Sequence, residues 1–133
     1  MLNPFPGLLD FGILAPMLIR IAIGAALFYV AIHHYRSKQE IKIALSPLIG
    51  KLSGSAAYIW AGAEILVGVL LIVGAWTQYA AIVASIMAIK SLMLRKQNTA
   101  LLPLSHSTYL LLLVMSLSLL VSGAGGFAFD LPL

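Results

Sequence analysis

Apolar residues run along this chain in blocks too long and continuous for the half-polar faces of a soluble fold. A helix needs about 20 such residues to cross a bilayer. Four stretches approach that length: about 14–35 (LAPMLIRIAIGAALFYVAIHHY), 56–76 (AAYIWAGAEILVGVLLIVGAW), 78–94 and 107–122. The fourth could equally start nearer Leu101, which would put Pro103 in its first turn, where a missing N–H costs nothing. The pattern predicts an all-α fold, a polytopic membrane four-helix bundle, with residues 1–133 forming a single transmembrane domain. Almost nothing separates the second and third stretches, so Ala75–Gln78 joins them as a tight antiparallel hairpin, with Gly74 freeing the backbone at the helix end. Trp76 and Tyr79 at that turn, and Tyr35 and Tyr58 at the opposite ends, fit the aromatic belts of a membrane–water interface.

Small residues recur at helical spacing within these stretches. Ala57, Ala61, Glu64 and Gly68 follow one stripe, Ala80, Ala84 and Ala88 another, and Gly24 lies one turn from Arg20. Such stripes let helix backbones approach closely in lipid and predict a left-handed bundle. Between the first two stretches, residues 40–52 (EIKIALSPLIGKL) place Ile41, Leu45, Leu48 and Leu52 on one helical face. That segment reads either as an amphipathic piece on the inner leaflet or, because Pro47 interrupts it, as two short turns.

Composition strengthens the membrane reading. The chain is 62% hydrophobic and 9% charged, with mean hydropathy +1.05, whereas soluble domains carry roughly 25% charged residues. Lys and Arg are concentrated in two loops, with Arg36, Lys38, Lys42 and Lys51 in one, Arg95 and Lys96 in the other, and none in the hairpin link or at either end. The positive-inside rule then makes both loops cytoplasmic and turns both termini outward across a cell (inner) membrane. This also accounts for the pI near 9.6 without nucleic acid as a partner. The opening MLNPFPGLLD lacks the basic flank of a secretory signal, so the first apolar run reads as a retained helix. With no cysteine, the chain has no disulfide, thiolate metal site or dithiol chemistry of its own.

Three ionisable residues, Arg20, Glu64 and Lys90, fall inside the apolar stretches. Charges at bilayer depth are costly and are paired, snorkelled to the interface or turned to a polar cavity. A rise of about 1.5 Å per residue puts Glu64 about 16 Å and Lys90 about 20 Å below the hairpin turn. Arg20 lies nearer the outer end, where its long side chain could reach toward Glu64. One reading is a polar core that binds an anionic or redox-active ligand or relays protons, with Glu64 and Arg20 as candidate catalytic residues. The other is an ion pair that fixes helix register, with Arg20 and Lys90 snorkelling to opposite interfaces. Glu64 is too short and too central to snorkel.

Lys90, His33 and His34 are the candidate ligand-binding residues. Adjacent histidines diverge by about 100° on a helix, so His33 and His34 do not chelate one ion together. Adding His106, at the start of the fourth stretch, makes a metal or haem site conceivable, but interfacial polar residues explain the three better and no metal site is expected. Ser116, Ser118 and Ser122 suit hydrogen bonds to backbone carbonyls or neighbouring helices. No hydrolase arrangement, phosphate loop or metal-ligand motif occurs.

Three pieces of the chain resemble the DoxX-like family of small four-helix membrane proteins. They are LIRIAIGAALFYVAIHHY, with its early arginine; GAEILVGVLLIVGAWTQYAAIVASIMAI, with acid, glycines and short turn in order; and the tail GAGGFAFDLPL, similar to a Gly-Pro-Gly-x-x-Ser-Leu-Asp ending. Ala124 and Ala128 stand where the family commonly has proline and serine, and His33-His34-Tyr35 replaces a common glycine–lysine ending. The resemblance implies four membrane helices. Because some members are the membrane subunit of a thiosulfate:quinone oxidoreductase, it also implies quinone as a cofactor and a redox enzyme subunit as a partner. The lipid bilayer and a second copy of the chain complete the expected partners. Two other functions suit the same residues: a scaffold docking a partner through its basic loops, and a small carrier for an acid or anion.

Overall fold

The computed structural model describes residues 12, 14–37, 39, 53–95, 102–125, 128 and 129. Four helices follow one another: α1 (Leu14–Arg36), α2 (Ser53–Val73), α3 (Thr77–Arg95) and α4 (His106–Ser122). No strand occurs among the described residues. The helix limits fall within about three residues of those read from hydropathy, as continuous apolar runs without interior proline dictate. Segment 40–52, Lys38, Lys42, Lys51 and Lys96 lie outside the described residues.

Local chemistry sets the ends. Gly74 and Trp76 both adopt positive φ, 75° and 51°, and reverse the chain between α2 and α3 within three residues. Two amides close this turn on one carbonyl, Gly74 N–H and Ala75 N–H donating to Leu70 O at 2.8 and 3.1 Å. Ser105 caps α4 by accepting from the Thr108 amide, and Gly123, with φ 75°, ends it by donating to Leu119 O.

The most extensive contacts are between α1 and α2 and between α3 and α4. Gly24 and Gly68 mark the α1–α2 crossing. A Cβ on Gly24 would lie 3.0 Å from Gly68 O, and one on Gly68 would lie 3.2 Å from Gly24 O. This is the close backbone approach that small residues permit between helices. Ile23, Leu27, Val30, Val67, Leu71, Met87, Leu112 and Leu119 fill the centre.

Polarity is distributed in the opposite sense to that of a soluble protein. Leu18, Ile59, Leu66, Ile86, Leu111 and Val121 face outward, while Arg20, His34, Glu64, Thr77, Ser85 and Ser116 are buried. Exposed aromatics pair at both ends, Tyr35 with Tyr58 at 6.1 Å and Trp76 with Tyr79 at 6.5 Å. Along α2 the two pairs are about 25 Å apart by helical rise, close to the roughly 30 Å of a bilayer core. Among the described residues only α1 is long and apolar enough by itself to cross a membrane; the apolar helices 58–73, 77–93 and 106–122 are shorter.

Candidate functional site

The buried stripe of α1 runs Arg20, Ile23, Gly24, Leu27, Val30, Ala31 and His34. It brings an ionisable residue to each end of the bundle interior. At the end near Arg36, His34 Nδ1 and Glu64 Oε2 are 2.8 Å apart and share a hydrogen bond between α1 and α2. The Glu64 side chain is 2% exposed and that of His34 7%. The buried acid has thus found a partner inside the protein, as its depth requires.

That partner is His34, and the reach of Arg20 toward Glu64 is corrected. Fourteen residues, about 21 Å of helix, separate Arg20 from His34 along α1. Arg20 turns instead to the hairpin end, where its Nη1 donates to Ala124 O at 2.9 Å. The guanidinium occupies the space a side chain on Gly74 would need: a Cβ there would be 2.3 Å from Nη1. It thus sits beside the C-terminal ends of α2 and α4, where helix dipoles and free carbonyls favour a cation. That environment contributes to the tolerance of a guanidinium only 1% exposed.

Lys90 belongs to neither end cluster. It is exposed on α3 with Nζ over the Trp60 ring, 3.0 Å from the centroid, and within electrostatic range of Glu64. His33 is half-buried, its ring 6.3 Å from that of His34 and edge-on to it. Its Nε2 is buried with no hydrogen-bond partner among the described residues. His106 is exposed at the start of α4, and no three metal-ligand side chains cluster among the described residues. Ser116 donates to Leu112 O at 2.7 Å, Ser85 to Ala81 O at 2.8 Å and Ser122 to Ser118 O at 2.9 Å, each within its own helix.

A small cavity of about 10 Å³ lies beside Glu64, lined from all four helices. Ile23, Leu27 and Val30 come from α1, Ala84, Met87, Ala88 and Ser91 from α3, and Tyr109, Leu112 and Ser116 from α4. Its size is at the lower limit for one water molecule. Hydroxyl-bearing Ser91, Tyr109 and Ser116 were not singled out from the sequence as neighbours of Glu64. For Tyr109 and Ser116 the signal was present on α4, where Tyr109, Leu112, Ser116 and Leu119 repeat at helical spacing and form its buried face.

A helical bundle that is apolar outside and holds a carboxylate–imidazole pair inside defines the class, a membrane-type bundle with a polar core. The DoxX family model matches residues 15–94, more than half of the chain, and the chain belongs to the DoxX family. It is a membrane protein of the DoxX type. The match takes in nearly all of α1, α2 and α3, while α4 and the tail 123–133 lie beyond it. Searches of curated proteins and of solved structures returned no match.

Proposed function

We propose that this protein is a multi-pass inner-membrane subunit associated with a redox enzyme, in which Glu64 and His34 take up and return protons for quinone chemistry. The observation that carries the reading is the buried 2.8 Å contact between Glu64 and His34 beside a water-sized cavity. Two groups that can each hold a proton, in hydrogen-bond contact and screened from lipid, are the minimum equipment for proton transfer. Reduction of a quinone takes up electrons and an equal number of protons. The companion enzyme supplies the electrons, and the pair supplies the protons. A cavity of about 10 Å³ admits no quinone ring, so the ring binds at the companion interface. Both basic loops face the cytoplasm and both termini face outward.

Glu64→Gln keeps the shape and one hydrogen bond but cannot carry the proton. In a reconstituted complex with its companions it should abolish quinone-dependent turnover while assembly persists. Normal turnover in that variant rules the reading out. A carrier for acids or anions would instead require a water-connected path to Glu64, and anion uptake by proteoliposomes that is lost in Glu64→Gln would favour that reading.

A further inference from the structure

Proton access to Glu64 is one-sided, we infer: it runs through His34 from the interface at the Arg36 end, and the hairpin end is closed by Arg20. The inference deepens the reading of Glu64 as a proton acceptor and rests on it. Three observations support the direction. His34 keeps more of its side chain at the surface than Glu64 does, 7% against 2%, and it lies next to exposed Tyr35 of the aromatic pair at that end. Imidazole thus stands between interfacial water and the carboxylate, with Nδ1 already in contact with Oε2.

At the other end, the stripe of α1 continues from the cavity wall at Ile23 to Arg20. The Arg20 guanidinium is buried, bonded to Ala124 O and seated against Gly74. The guanidinium fills the space beside Gly74 and so plugs that end of the interior. Around Glu64, Lys90 on α3 lies within electrostatic range, Ser91, Tyr109 and Ser116 line the cavity beside it, and Ser85 and Thr77 are further buried polar side chains of α3. A proton from the interface binds His34, and the hydrogen-bonded proton passes to the carboxylate. When Glu64 is deprotonated, the proton leaves by the same route.

The test needs no redox companion. The full chain is placed in lipid nanodiscs, the pH is dropped rapidly, and protonation of Glu64 is followed by its infrared carboxyl band, assigned by its loss in Glu64→Gln. His34→Gln retains a polar neighbour for the acid but cannot relay a proton. It should slow protonation by about 100-fold, the lower end of what a positioned proton-transfer group contributes. His33→Gln, one residue away, should leave the rate unchanged. Parent-like kinetics in His34→Gln, or equal slowing in His33→Gln, overturns the inference. Should His34→Gln lose its helical structure, the unmodified protein decides in liposomes of single orientation. A pH drop on the Arg36 side protonates Glu64 within the mixing time and one on the Trp76 side does not; equal responses from both sides overturn it. The band reports access to Glu64 whether or not quinone turnover depends on that residue, so the two readings fail separately.

Discussion

Replacing Gly74 by alanine perturbs the junction of α2, α3 and the Arg20 guanidinium, and its cost can be worked from the geometry. The residue has φ 75°, a left-handed conformation that costs an L side chain about 1–2 kcal/mol. The new Cβ would lie 2.3 Å from Arg20 Nη1, 2.7 Å from Cζ and 2.9 Å from Ala128 Cα. A long side chain usually yields cheaply. This one is buried and bonded to Ala124 O, so moving it forfeits a charge-assisted hydrogen bond worth about 1.5–3 kcal/mol. The sum is about 2.5–5 kcal/mol of destabilisation. Reversible unfolding in mixed micelles measures it, as part of a double-mutant cycle with Arg20→Met. In the Arg20→Met background the part due to the guanidinium, about 1.5–3 kcal/mol, should vanish, leaving the backbone cost and the contact with Ala128. Identical penalties in both backgrounds, or a total near zero, would refute the assignment of Gly74 as the seat of the guanidinium.

Two further outcomes follow from the same coordinates. Gly24→Leu places a side chain where a Cβ alone meets Ile72 Cγ1 at 2.6 Å and Gly68 O at 3.0 Å. It should separate α1 from α2 and cost about 1–3 kcal/mol or more, as overpacking does, read as a lowered unfolding midpoint in the same micelles. Lys90→Met removes an exposed cation from the face of Trp60. It should cost only about 0.5–1 kcal/mol and leave quinone-dependent turnover in the reconstituted complex intact; a severe loss of turnover would make Lys90 part of the site.

The helices were legible because lipid-facing and core-facing positions are both apolar, leaving uninterrupted runs divided by the two basic loops and by the turn at Gly74. That uniformity also hid the faces. With apolar residues on every side, hydropathy gives depth along a helix but not direction around it. Arg20 was therefore paired with Glu64 on reach alone. The better signal was the spacing of His34, fourteen residues or close to four turns beyond Arg20 and on the same side of α1 as Ile23, Leu27 and Val30. Its neighbour His33 and the terminal position made an interfacial role look sufficient. The seat of Arg20 could not be read at all, because it depends on a tail carbonyl 104 residues away at Ala124.

The contact between His34 and Glu64 can be observed without any assay of function. Histidine labelled with ¹⁵N in the full chain in lipid reports the hydrogen-bonding state of each ring nitrogen. Glu64→Gln should shift the Nδ1 resonance of His34 and leave those of His33 and His106 in place. An unchanged His34 resonance would mean that the acid at position 64 is held by something else, and the polar core described here would not exist.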